Sequence, residues 1–370
     1  LTLPVITLAQ PYNEENTDLS FLPMEEDSSS VSNNGVLNNT KQTDYLYYFD
    51  NFFQLPQWRD QENLVWNLPA DNHPEWINLS RFGIRGSPVL NESLIFKNDI
   101  LLNAYTQQTE SFKPAEDLRI DIKEAYLSWS LTKTAFLDAG RINIKSGVAT
   151  GFNPTDYFKV DAVLDHTTED SSQLRDARLG TLAIRGEKIW NGGSFAIIAS
   201  PEVTDQENMW YTNKNIYGLN LQKTNAESRI LLKLTQRVYD DFSPEIIYYN
   251  ESGNNNLGLN ISTALNRQWI SYIEWNTGKR RTLADEAWYP LRGNSLDPSI
   301  QHLFPQDEGE YYQQKLAAGG SFTSSFNITT SLEYHYNEAG LSKEEQDDFF
   351  MTADLTQYNQ VAQQQLLSII

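Results

Sequence analysis

From about residue 76 the chain alternates apolar and polar residues in long runs. Leu257, Leu259, Ile261, Thr263 and Leu265 are interleaved with Gly258, Asn260, Ser262 and Ala264. Ile328, Thr330, Leu332, Tyr334 and Tyr336 are interleaved with Asn327, Thr329, Ser331, Glu333 and His335. Ile230, Leu232 and Leu234 alternate with Arg229, Lys233 and Thr235, with Leu231 breaking the rule. A period of two gives a strand one apolar and one polar face. Further runs begin near Trp76, Ile100, Leu118, Phe136, Leu179, Phe195, Tyr217, Ile246, Trp269 and Leu316, and another near Gln365. Clusters such as Asn191-Gly192-Gly193 and Gly253-Asn254-Asn255-Asn256 punctuate them as turns.

The runs are long, often nine or ten residues. Strands of soluble proteins average about 5–6 residues, whereas a tilted strand needs about 9–11 to cross a bilayer. Tight turns alternate with long acidic connections such as 146–178, 276–310 and 337–364. This asymmetry belongs to transmembrane barrels, with short turns on the periplasmic side and long loops outside. The predicted fold is therefore all-β: an antiparallel transmembrane β-barrel of about 14 or more strands, spanning residues 76–370. Leu257, Leu259, Ile261, Ile328 and Leu332 would face lipid, and Asn260, Ser262, Thr329, Ser331 and Glu333 a wet lumen. Trp129, Trp269, Trp275, Tyr334 and Tyr336 are the candidates for interfacial aromatic girdles. In Leu118–Leu131 the apolar phase flips near Lys123-Glu124, where a β-bulge would restore a single face.

Composition narrows this picture. Aromatic residues reach 12% of the 370-residue chain, cysteine is absent, and the formal net charge is -21. The missing cysteines exclude a disulfide scaffold or a thiolate metal site. The acidic balance argues against nucleic acid as a partner and permits attraction of cations. Residues 1–9 have the character of a signal-peptide remnant, ending in Thr7-Leu8-Ala9. Residues 10–43 read as a disordered acidic leader. Residues 44–75, with "DYLYYFDNFFQLPQW", form an aromatic-rich segment suited to a plug, a periplasmic contact or core packing.

The chemistry-bearing motifs are few. His73, His166, His302 and His335 show no metal or catalytic spacing, and no nucleophile-elbow, phosphate-loop or dinucleotide fingerprint occurs. No catalytic residue, metal or cofactor is assigned, and the chain is not expected to be an enzyme. The specific stretch is "GRINIKSGVATGFNPTDYF", from Gly140 to Phe158. Its strand places Arg141, Asn143 and Lys145 on one face, and cations on a lipid-crossing strand must point to a wet lumen. Pro154 fixes a turn, and Asn153 and Asp156 can tie the loop to itself. Together with Arg185, these residues are candidates for a lumen constriction, with an ordered surface loop as the alternative.

The order of "EAYLSWSL", the Gly140-Arg141 strand, Asn153-Pro154-Thr155-Asp156, "RLGTLAIRGEKIW" and "GSFAIIASP" resembles a family of large proteobacterial outer-membrane β-barrels of poorly assigned function. The Arg-bearing strands are more weakly similar to alginate-export porins. The first resemblance implies residence in the bacterial outer membrane, contact with lipid bilayer and lipopolysaccharide, and a periplasmic or RND-type transport partner. It points to hydrophobic substrates, whereas the lumen composition points to polar ones. The expected function is an outer-membrane channel or conduit. The alternatives are a non-conducting barrel scaffolding an envelope assembly, and a soluble β-sandwich that binds or cleaves polysaccharide. Barrels of this kind usually end on an aromatic residue, unlike Leu367-Ser368-Ile369-Ile370, so a partial sequence is expected.

Overall fold

Alternation along the chain becomes one antiparallel sheet. The computed structural model describes residues 45–55, 75–107, 118–149, 151–159, 162, 178–204, 219–239, 242–283, 309–343 and 346–347. The strands are β1 (Tyr45–Gln54), β2 (Ile77–Gly86), β3 (Val89–Asn91), β4 (Leu94–Gln107), β5 (Leu118–Thr132), β6 (Ala135–Ile142) and β7 (Thr181–Trp190). They continue as β8 (Gly193–Ser200), β9 (Arg229–Gln236), β10 (Glu245–Glu251), β11 (Asn254–Ala264), β12 (Trp269–Arg280), β13 (Tyr311–Thr323) and β14 (Thr329–Asn337). Each strand pairs antiparallel with the next in sequence from β1 to β14, except that β2 pairs β4 directly and short β3 folds onto β4. This is the up-and-down order of an antiparallel β-barrel wall. No helix among the described residues is long and apolar enough to cross a membrane, a finding silent about strands.

The two ends of the wall differ. At one end β5–β6, β7–β8, β11–β12 and β13–β14 are joined through the short spans 133–134, 191–192, 265–268 and 324–328. At the other lie the long connections 143–180, 201–228 and 281–310. One tight hairpin interrupts the long end: between β10 and β11, Ser252 and Gly253 both take positive φ, 46° and 96°. That pair of dihedral signs matches the twist of a two-residue antiparallel turn.

Three expectations are revised. Among the described residues the sheet starts at Tyr45, so part of the aromatic-rich segment is β1, paired with β2 over its whole length. The run from Tyr217 is not a strand where it is described: Leu221–Thr224 is a short helix, α1, entered through Asn220 at φ 43°. Three alternating positions do not separate a strand from a turn that starts in the left-handed region, and Asn tolerates that region. Trp275 lies inside β12 rather than at its end. The proposed strand from Gln365, the leader and the signal remnant lie outside the described residues.

The bulge predicted near Lys123-Glu124 is present. Asp99 pairs with Glu124 while Ile100 pairs with Ile122, leaving Lys123 as the extra residue. Leu118 and Ile120 before it, and Leu127, Trp129 and Leu131 after it, all stay exposed on the outer face.

Burial is inverted relative to a water-soluble protein. Ile184, Ile197, Ile230, Leu234, Ile246, Leu257 and Ile273 are exposed on the outside, Ile197 at 46% and Leu257 at 50%. Inside, Arg81, Asp99, Asn103, Asp121, Lys123, Asp138, Lys233 and Glu274 are buried, Asp121 and Glu274 at 0% exposure. Charges taken out of bulk water need partners. Asp99 accepts from Tyr48 (2.9 Å) and Arg85 (2.9 Å), with Lys123 Nζ at 3.2 Å. Asp121 accepts from Asn103 (2.6 Å) and Arg119 (2.8 Å), and Asp138 from Arg185 (2.8 Å).

Candidate functional site

Past Ile142 the chain leaves the wall and crosses its inner face. Residues 143–149 and 151–159 reach β12 and then β14, and return by way of β12, β11, β10 and β9. Each step is held by a named contact. Glu274 of β12 accepts the backbone N–H groups of Val148 and Ala149, the latter at 2.6 Å, and the Thr155 hydroxyl at 3.1 Å. Glu333 of β14 accepts those of Gly151 (2.9 Å) and Phe152 (3.2 Å), and Phe152 packs against the His335 ring at 5.7 Å. On the way back, Asn276 of β12 donates to the Tyr157 hydroxyl at 2.6 Å. The Tyr157 ring stacks on Tyr249 of β10 at 4.3 Å, and the Arg229 guanidinium of β9 lies 5.8 Å from the Phe158 ring. Charge-assisted bonds from carboxylates to backbone N–H groups are about twice as strong as neutral ones, which suits a loop without regular structure.

Local sequence permits this path at two glycines. Gly147 has φ +72°, and a Cβ there would collide with the Glu274 carboxylate. Gly258 on β11 leaves room for Tyr157, whose hydroxyl would lie 2.8 Å from an added Cβ. Burial pushes the Tyr157 phenol up to about 12, against the lowering pull of Asn276 and Arg280.

An apolar cluster anchors the root of the loop. Ile144 and Phe158 pack with Tyr126, Ile142, Ala183, Ile198, Leu231, Ile247 and Tyr249. The irregular Leu231 is thereby explained: it points inward, under the loop rather than out with Ile230.

The six constriction candidates separate into distinct placements. Asn143 accepts from Arg178 at 2.9 Å, Asn153 donates to the Ser146 carbonyl at 2.8 Å, and Asp156 accepts from Arg178 at 2.7 Å. Lys145 and Arg185 line a cavity between loop and wall. Arg141 is buried beside a second inward segment, residues 219–228, and donates to the Leu219 carbonyl. That segment is pinned by Asn225, which bonds the Leu182 N–H and carbonyl, both at 2.9 Å, and the Ser200 hydroxyl at 3.0 Å. The aromatic candidates Trp129, Trp269, Tyr334 and Tyr336 are exposed on the outer face. Trp129 and Trp269 sit toward the short-turn end and Tyr336 toward the other. Trp275 Nε1 donates to Gln314 at 3.1 Å.

The residue most responsible for the loop's shape is one the sequence does not advertise. Arg178 is 1% exposed and donates to Asn143, to Asp156 and to the Ile144 carbonyl at 2.7 Å. It arrives from the far end of the β6–β7 connection and closes it like a clasp. Glu274 and Glu333 were equally hidden, since as strand residues they show only that they face inward.

The cavity has a volume of about 400 Å³. It lies between the wall from β2 to β9 and the root of the loop, Asn143 to Ser146. Among the described residues no group of three His, Asp or Glu side chains is placed to hold a metal ion.

No family model matches the chain, and no curated protein matches it in sequence. Solved structures with a similar trace include OmpF of Salmonella typhi, in complex with daunomycin: 11% identity, TM-score 0.44, covering 80% of this chain and 78% of that one. OccK11 of Pseudomonas aeruginosa is similar at 10% identity and TM-score 0.41, over 80% of this chain and 65% of that one. The outer membrane channel DcaP of Acinetobacter baumannii is similar at 9% identity and TM-score 0.38, over 79% and 78%.

Proposed function

We propose that the protein is an outer-membrane channel whose bore is narrowed by the loop 143–159. The observation that carries this is the inverted wall: apolar side chains at alternate positions outside, a hydrogen-bonded polar surface inside. In water such an exterior would be one large aggregation-prone patch. In a bilayer it is the stable arrangement, because a barrel satisfies every backbone group between strands. Lipid and, at the long-loop rim, lipopolysaccharide are the surroundings this exterior fits, with Trp129, Trp269 and Tyr336 as rim aromatics. Residence in a bacterial outer membrane follows from the same reading.

Arg141, Asn143, Lys145, Asn153, Asp156 and Arg185 then act in or around the constriction, three of them by holding the loop. A periplasmic or RND-type partner rests on the resemblance of the Gly140–Asp156 stretch alone. The test is conductance of detergent-purified, folded protein in a planar bilayer. Discrete steps are expected. Inserted protein that stays silent would remove the open channel and favour a barrel plugged by its inward segments, the scaffold reading.

A further inference from the structure

The chain carries 28 Lys and Arg against 49 Asp and Glu, so its overall charge would favour cations. The cavity beside the loop has the opposite balance. Arg85, Lys97, Lys123, Lys145, Arg185 and Lys233 line it. Three carboxylates share the lining: Asp99, Glu124 and Glu187. These cations come from β2, β4, β5, β7, β9 and the loop root, so the basic face is assembled by the fold. Asp99 serves two of them, Arg85 at 2.9 Å and Lys123 at 3.2 Å, and Glu124 lies within electrostatic reach of both and of Lys145, so the positive balance belongs to the six lining cations taken together. Two more cations are partnered from beside the cavity, Arg185 by Asp138 at 2.5 Å and Lys233 by Glu245 at 3.2 Å. Lys97 Nζ lies 5.8 Å from the Tyr126 ring, a contact that adds no negative charge.

We propose that this cavity is an anion-binding constriction, and that the protein selects small anionic solutes despite its acidic net charge. The proposal rests on the channel reading for transport, though the binding site stands without it. The physical reason is range. At physiological salt the Debye length is about 8 Å, so charges farther than that from the passage are screened while groups lining it are not. Walls of low dielectric strengthen this local field further.

Two measurements on the folded, detergent-purified protein test it. In a planar bilayer under a KCl gradient, the reversal potential should show chloride preferred over potassium. The K97E/K145E variant should lower the permeability ratio about tenfold, the lower edge of the steering range for focused fields. K133E, at an exposed turn residue, should leave it unchanged. Steps from wild-type protein that prefer potassium would overturn the inference and leave the channel standing. Should the bilayer be silent, the channel reading fails and calorimetry with citrate still decides the site. Heat of binding that K97E/K145E abolishes supports it; no heat, or heat that survives in the variant, overturns it.

Discussion

At the scale of single residues, Arg178 and Tyr157 carry the clearest consequences. Arg178→Ala would leave Asp156 buried without its cation, and breaking a buried pair costs about 3–5 kcal/mol. The loop should loosen before the barrel does. Noisier or larger single-channel steps are expected, together with faster proteolysis near residue 150, while the strand signal in circular dichroism persists. Unchanged conductance and protease resistance would show that Arg178 does not hold the loop.

Tyr157 gives a pH prediction. Its phenol is raised from an ordinary 10.0 to about 12, so the folded state holds its proton more tightly than the unfolded chain does. Its stabilising share is complete below pH 10 and is lost as pH rises toward 12. Tyr157→Phe should therefore flatten the fall in stability across that window, measured by denaturant unfolding at several pH values. An equally steep fall would show that the phenol makes no such contribution. Neither side chain announced its role. Arg178 lies far along the chain from Asp156, and Tyr157 stood only as one of an aromatic pair closing a loop.

At the scale of elements, the strands were legible because side-chain direction in a strand follows chain position alone. So was the bulge in β5, since a change of phase in one apolar stripe has no other simple remedy. Deleting Lys123, the extra residue, should remove the bulge and leave Leu118, Ile120 and Ile122 on the outer face in strict alternation with Ala125 and Leu127. Deleting Ser128 from the regular stretch should instead put Leu127 and Trp129 on opposite faces, since a one-residue slip reverses every side chain beyond it. Folded yield, scored as the heat-modifiable band on gels, should fall much further for the Ser128 deletion, and equal loss in both would count against the bulge as the device that restores the phase. The element that sequence mistook was α1. The run read there alternates at only three positions, Tyr217, Leu219 and Leu221, and the end of α1 is tied to the wall by Asn225, bound to Leu182 of β7 and Ser200 of β8.

At the scale of the whole molecule, the outer face makes a prediction that separates membrane from water. Ile197 is mid-strand on β8 and exposed. Ile197→Arg should cost about 2–4 kcal/mol if it faces the bilayer midplane. On a water-facing surface the same change would be nearly neutral. Urea unfolding from lipid vesicles measures the difference, and a neutral result would count against a lipid-facing wall.

Sequence by itself determined the period of two, the strand lengths, the bulge and the asymmetry of the two ends. These follow from local geometry, where each residue's face depends only on its neighbours. It also marked the Gly140–Phe158 stretch as special, through turn chemistry and cations on one face. Only the tertiary structure decided where that stretch goes. Its path is set by Glu274 and Glu333 across the interior and by Arg178 returning from a long connection, and contacts between distant positions leave no periodic trace. The sign of the charge along the cavity belongs to the same class. Net charge sums over the whole chain, whereas the field in a narrow passage depends on which few side chains the fold brings within a Debye length of one another.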